Sequence, residues 1–430
     1  MTSHTPTDRP DPSEPAGNTN MTRRHLLATG AGTTMGSWLA RAEGQQRDGS
    51  SNATTSEIYE ALGITPIINA AGTITTLGGS LMPTEVTAAW LAASQSFVPL
   101  LELQDRVGKR IAELLHVEAA LVTTGAAGAI QLGTAAALTV QHAQRVAQLP
   151  NPPGGPYEVI RQTSHRECYD HQVTACGAKI VEVDSLATLE SAINERTVMM
   201  LAYNVHEPDG PIQHAQWLAT ARKHGIATLL DAAADVPPMD RLWKYNHMGY
   251  DMVAFSGGKA LRGPQDTGLL LGRPELINAA KRNTSPYCNN IGRGLKVSKE
   301  DMVALYAAVH RFVNLDHGAE LQEWRRRIQV ISETLASIPT VKTRTVTPAI
   351  ANHVPHLIVD WDRDKVRISP DEVKRALASG QPPILTARVH GTGSDGFLIS
   401  VFMLQPGEDA IVGSRLAEVL RSATAAESSP

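Results

Sequence analysis

The sequence predicts an α/β fold, with a mostly parallel sheet in a large domain and a small α+β domain at the C-terminal end. Three observations predict it. Short apolar runs alternate with helical stretches between about 119 and 271, the rhythm of strands joined by crossover helices. The runs are apolar along nearly their whole length, as in strands covered on both faces. Beyond about 311, strands and helices mix more closely, which suits a second, smaller unit.

The elements follow in order. Residues 1–20 are rich in Pro, Thr, Ser and Asp and have the composition of a disordered tail. Arg23-Arg24 then precede a short apolar stretch ending at Ala40-Arg41-Ala42. A charged start, a short apolar region and small residues at the cleavage positions read as a signal peptide. The paired arginines point to the twin-arginine route and a periplasmic or exported protein, with no stable membrane span after processing. Residues 43–56 read as a linker, 57–310 as the large domain with its N-terminal segment, and 311–425 as the small domain. Helical periodicity marks 84–96 and 99–115, with Glu102, Asp105, Lys109 and Glu113 on the solvated face and Leu101, Val107, Ile111, Leu114 and Leu115 on the face expected to be buried. Strands are expected at 119–124, 157–161, 179–183, 198–203, 227–231, 252–256 and 268–271, and helices near 186–194 and 212–224. One long helix is expected from Ser298, an N-cap with acids behind it, to Ile328 and beyond. The tail should hold strands at 356–360, 384–389 and 397–402, and helices at 371–378 and 409–420.

Composition narrows the function. With 430 residues and 42% hydrophobic content, the chain can bury a large core without disulfides. A net charge of −4 and 4% aromatic content disfavour nucleic acid as a partner. The three cysteines, Cys168, Cys176 and Cys288, have no paired spacing and read as free thiols. No metal site is expected.

The chemistry is written most clearly in Ser256-Gly257-Gly258-Lys259. The apolar run 227–231 ends upstream of it in Asp231. An aspartate at a strand end, followed by a strand and a lysine among small residues, is the requirement of pyridoxal phosphate (PLP). The lysine amine forms a Schiff base with the cofactor aldehyde, and the aspartate pairs with the pyridine nitrogen. The small neighbours let a flat cofactor approach the backbone. Thr123-Thr124-Gly125-Ala126-Ala127 turns a strand into a helix whose free N–H groups can cradle a phosphate. The Ser256 hydroxyl would add to that cradle. His165 follows a strand, where its ring could stack on the cofactor or carry a proton. Arg293 and Lys296, in a Gly-flanked basic segment, and Arg388, at the end of a tail strand, could hold a substrate carboxylate. Asn69 could line the pocket from the N-terminal segment.

Together these segments resemble the selenocysteine synthase-like PLP enzymes (L-seryl-tRNA selenium transferase and its relatives). Within that group the chain looks most like the D-glucosaminate-6-phosphate ammonia-lyase branch. The carrying residues are Ile68 to Thr73, Thr124 to Ala127, His165-Arg166, Asp231 to Ala234, Phe255 to Gln265, and Gly292-Arg293 to Lys299-Glu300. The resemblance implies the aspartate-aminotransferase-like fold and a homodimer or larger homo-oligomer. It places the Schiff base on Lys259, the ring-nitrogen contact on Asp231 and ring stacking on His165.

The expected activity is a PLP-dependent lyase. It would eliminate water and ammonia from a hydroxy-amino acid, D-glucosaminate-like, to give a 2-keto acid. A racemase, aldolase or aminotransferase on the same fold is the alternative. An exported binding protein without catalysis is the alternative of another class. The partner expected is a small amino acid substrate, not nucleic acid.

Overall fold

A computed structural model describes residues 55–388 and 396–424, and the signal-like stretch and residues 389–395 lie outside them. The chain divides into two units, Met1–Pro66 and Ile67–Pro430. The described part of the first is a short helix, Thr55–Ala61, closed by a turn in which the Ile64 N–H donates to Tyr59 O.

In the second unit, strands run in chain order: β1 (Ile68–Asn69), β2 (Ala119–Thr124), β3 (Glu158–Gln162), β4 (Lys179–Val183), β5 (Thr197–Tyr203), β6 (Ala227–Asp231), β7 (Met252–Ser256), β8 (Thr267–Gly272), β9 (Lys342–Val346), β10 (His356–Asp360), β11 (Ile384–Leu385) and β12 (Phe397–Ser400). Seven of them form one sheet in the order β2-β8-β7-β6-β5-β3-β4. The pairs β7–β6, β6–β5, β5–β3 and β3–β4 are parallel, and β8 runs antiparallel to both its neighbours.

Alternation within these strands feeds two cores. Leu230, Val253 and Leu271 face one layer, with Ile111 of the helix Leu100–Leu115 and Leu305 of the helix Lys299–Val313. Leu229, Ala254 and Leu270 face the other, with Ile130 of the helix Gly125–Thr139 and Ile277 of the helix Pro274–Arg282. Both faces of the central strands are therefore dry, which is why β6, β7 and β8 are apolar along nearly their whole length.

A third core belongs to the tail. There β12-β10-β9 form an antiparallel sheet, packed by the helices His317–Leu335, Pro370–Ala378 and Glu408–Ser422. Ile68 joins this core because β1 pairs in parallel with β11. The N-terminal segment of this unit thus packs into the tail core, a long-range pairing that no local pattern signals.

Two expectations are corrected. The single long helix from Ser298 is two helices, Lys299–Val313 and His317–Leu335. Ser298 caps the first as expected, accepting from the Asp301 N–H, but Asp316 Oδ1 accepts from the Ala319 N–H and starts a second helix. Of the strand expected at 384–389, Ile384 and Leu385 alone pair among the described residues, because β1 offers two residues to pair with, and Val389 lies outside the described residues.

Candidate active site

The site is assembled by register at one edge of the large sheet. Tyr203 pairs with Asp231, Asp231 with Ala254, Ser256 with Gly268, and Thr124 with Thr267. Those pairs place the last residues of β5, β6, β7 and β2 side by side. Open α/β sheets bind their ligands outside the carboxyl ends of such strands. Three interstrand steps separate β6 from β2, roughly 14 Å at about 4.8 Å per step.

The lysine loop is held by its own glycines. The Gly257 N–H donates to Thr267 O at 2.8 Å, and the Gly263 N–H to Gly257 O at 2.9 Å. A Cβ on Gly257 would run into Thr267, and one on Gly258 into the Gln265 backbone. The segment before the helix Thr84–Ser94 lies against this loop. Ser80 Oγ donates to Gly258 O, Gln265 Nε2 to Thr75 O, and Arg262 Nε to Leu81 O.

Lys259 emerges partly buried from this frame. Among the described residues its amine has no hydrogen-bond or ion-pair partner, although Asp231, Asp235 and Glu167 act on its charge. Burial lowers its pKa below the usual lysine range, and those carboxylates offset part of the drop. A lysine that is more easily neutral is a better nucleophile. Asp231 is buried, and its Oδ1 accepts from the Ala233 N–H at 2.8 Å. Burial pushes its carboxyl up to about 6, against the opposing pull of that hydrogen bond and of Lys259.

At the other end of the edge, Thr124 precedes the helix Gly125–Thr139, and Gly125 has φ 66°. Thr124 Oγ1 is buried without a partner in the structure, a costly state that a bound acceptor or donor relieves. A Cβ on Gly268 would meet the Gly125 backbone, so β8 and the glycine turn approach as closely as glycine permits. The Ser256 hydroxyl also lacks a partner among the described residues.

These residues fit pyridoxal phosphate. The unpartnered Thr124 hydroxyl, the helix N–H groups of Gly125, Ala126 and Ala127, and Ser256 suit its phosphate. Asp231, buried and lacking a cation in contact, suits a pyridinium N–H. Lys259, between them and unbonded, suits the aldehyde.

The structure brings together Lys259, Asp231, Ser256, Thr124, Gly125, Ala126 and Ala127. It spends Thr123 differently: that hydroxyl donates to Gly125 O and stabilises the turn instead of facing a ligand. His165 is also corrected. It has no exposed surface, its Nδ1 accepts from the Tyr203 N–H at 3.1 Å, and its Nε2 lies against Gln162. Burial, first, and the neighbouring His206 and Arg161 hold its pKa down to about 4. A ring that stacks on a cofactor presents a face to the pocket, and His165 is instead a neutral packing group beneath it.

Two residues just downstream were missed. Tyr169 is 39% exposed, and burial, then the charges of Cys168 and Asp231, raise its pKa. It is an aromatic side chain with open surface within reach of Asp231. Glu167 Oε1 lies 2.8 Å from His206 Nε2, and its charge acts on both Asp231 and Lys259. Both follow the end of β3 by a few residues, the same positional signal that drew attention to His165.

The substrate side is looser. The Asn69 side chain is engaged by its own turn: its Oδ1 accepts from the Ala71 and Gly72 N–H groups and its Nδ2 donates to Gly72 O. Arg293 and Lys296 are exposed. Arg388 is exposed three residues beyond β11, next to the segment outside the described residues.

The chain is similar to known proteins. The family model for aminotransferase class-V matches residues 167–287, the stretch that holds Asp231 and Lys259. D-glucosaminate-6-phosphate ammonia lyase of Salmonella typhimurium is 29% identical over 86% of this chain and 99% of its own length. L-seryl-tRNA(Sec) selenium transferase of Moorella thermoacetica is 24% identical over 83% of this chain and 82% of its own. A solved structure of D-glucosaminate-6-phosphate ammonia-lyase superposes with a TM-score of 0.74 at 26% identity, over 86% of this chain and all of that one.

Proposed function

We propose that this chain, a PLP-dependent enzyme related to the selenocysteine synthase-like group, is a carbon–nitrogen lyase acting on a hydroxy-amino acid. The observation that carries the reading is the alignment of Lys259, Asp231 and the Thr124–Ala127 turn along one sheet edge, in a chain that covers nearly the whole of an ammonia lyase.

Pyridoxal phosphate, when bound, supplies an electron sink that acidifies the substrate's α-carbon. The chain's residues do the rest. The Gly125–Ala127 N–H groups, Thr124 and Ser256 would hold the phosphate, and Asp231 would keep the ring nitrogen protonated. Lys259 Nζ would take the α-proton of the substrate. Its partly buried setting lowers the cost of holding the amine neutral for that task. The β-hydroxyl leaves as water, and the dehydrated product hydrolyses to a 2-keto acid and ammonia. Arg293, Lys296 or Arg388 would fix the substrate carboxylate, so that the bond to be broken is oriented before reaction.

Incubating the PLP-loaded protein with D-glucosaminate, serine and threonine of both configurations tests the reading. Ammonia and 2-keto acid formed without an amino acceptor support it. Racemised substrate, or transfer of the amine to an added keto acid, moves the protein to the racemase or aminotransferase alternative.

Two further parts of the reading rest on narrower support. Exposed apolar side chains concentrate in one stretch, Leu81, Trp90, Leu91, Phe97, Val98 and Leu101, and this stretch adjoins the 75–81 segment against the lysine loop. A second copy of the chain covering it would form a homodimer beside the site. Phe97→Asp should then convert a dimer to a monomer in light scattering. The Arg23-Arg24 signal supports export. Replacing both with lysine should keep the protein in the cytoplasmic fraction.

A further inference from the structure

We propose that Glu167, held by His206, is the acid–base group of this site, giving the proton to the departing hydroxyl and exchanging protons between Lys259 and solvent. The inference rests on the lyase reading and deepens it.

Loss of hydroxide from a β-carbon is poor unless the oxygen is protonated as it leaves. Lys259 is occupied with the α-proton, and Asp231 with the ring nitrogen. Asp235 is spent: it is 1% exposed and accepts from the Tyr245 hydroxyl at 2.7 Å and from Asn204. Glu167 is open to solvent, with 29% of its side chain exposed, and contacts tie it to the sheet edge: the His206 ring that holds it lies 6.0 Å from the His165 ring, and His165 accepts from the N–H of Tyr203, the residue opposite Asp231. It is also fixed. His206 Nε2 lies 2.8 Å from Oε1, and the Cys168 N–H donates to Oε2 at 3.2 Å. The groups facing it are few. His206 and His165 come from one side, and Asp231, Asp235 and Lys259 from the sheet edge. Cys168 and Tyr169 share its turn, while neighbouring Arg166 and Asp170 are paired away with Glu182 and Arg161.

The step balances. The α-proton passes to Lys259 Nζ, and the electron pair of that C–H bond becomes the new carbon–carbon π bond. The β-carbon–oxygen bond breaks with its pair on oxygen, which takes the Glu167 proton and leaves as water. The Lys259 ammonium then returns a proton to the Glu167 carboxylate, directly or through water.

Leaving-group dependence tests the assignment. In Glu167→Gln, elimination from a hydroxy-amino acid should fall about 100-fold in kcat. Elimination from β-chloroalanine, whose chloride needs no proton, should change less than about threefold. Glu167→Asp, which keeps a carboxyl, should recover the hydroxyl reaction to within about tenfold. His206→Gln should weaken the hydroxyl reaction in the same selective way and shift its pH profile. A readout independent of turnover is the pH dependence of Lys259 labelling by trinitrobenzenesulfonate in the cofactor-free protein. Its midpoint should move down in Glu167→Gln, because a negative charge favouring the ammonium is gone. Equal losses on both substrates, or an unchanged hydroxyl reaction, would overturn the inference. A wild-type protein that releases ammonia from neither substrate removes the lyase reading itself.

Discussion

The two ends of the large sheet invite the same question and answer it differently. At the amino ends of the parallel strands lies a cleft of about 640 Å³, lined by Arg145, Asp251, Arg273 and Glu275 among others. At the carboxyl ends lies the lysine edge. The cleft is generous and charged, yet much of its charge is already satisfied. Arg273 pairs with Asp251 at 3.1 Å and with Glu275, Asp251 accepts from the N–H and hydroxyl of Thr228, and Arg145 lies over the Tyr157 ring at 4.5 Å. At the lysine edge three polar groups have no partner among the described residues: Lys259 Nζ, the Ser256 hydroxyl and the buried Thr124 Oγ1. Stability favours satisfied groups. Unpartnered buried atoms occur elsewhere too, as at Trp217 Nε1 and Asn246 Oδ1; what sets this edge apart is that a lysine, two hydroxyls and a buried carboxyl fall on it together.

That contrast can be broken most directly at Lys259. Lys259→Ala should lose at least about 1,000-fold in kcat and the visible absorbance of the PLP-loaded protein, while the fold, read by circular dichroism, persists. Asp231→Asn should cost about 100-fold in kcat and weaken cofactor retention on dialysis. Gly268→Ala should reduce cofactor affinity about tenfold, through the contact its Cβ makes with the Gly125 turn. Its activity should return at saturating PLP. At the opposite end, Arg273→Ala should leave kcat and cofactor affinity unchanged and lower stability by only about 0.5 kcal/mol, the scale of a half-exposed pair. An equal loss of activity there would erase the distinction.

Acid adds a test of the buried groups. His165, His214 and His356 are each held near 4 by burial, below the usual imidazole value. Below about pH 6.5 the unfolded chain binds protons that the folded chain refuses, so these groups lose stability for the fold as pH falls towards 4. Asp231 has the opposite sign. Its raised carboxyl favours the folded cofactor-free protein at acid pH and loses that contribution as pH rises through about 6. Burial raises the carboxyls of Glu207, Asp235 and Asp266 in the same direction, so the imidazole part is read by difference: the urea midpoint of His356→Gln should drop less between pH 7 and 5 than that of the wild-type protein. Asp231→Asn should deepen the drop in the cofactor-free protein.

The sequence by itself determined the strands and the chemistry that could follow from them. β4, β6, β7 and β10 fall where apolar runs bounded by turn residues put them. Lys259 and Asp231 were legible because a lysine among glycines and an aspartate closing an apolar run are costly choices unless something binds there. The tertiary structure alone decided what each polar group is free to do. Asn69 and Thr123 are consumed by their own turns, and His165 by the Tyr203 backbone, while Glu167 and Tyr169 keep open surface at the edge. β1 found β11 more than three hundred residues away. Periodicity reports which face of an element is buried. Hydrogen-bond partners depend on which elements pack together, and that is settled only when the chain has folded.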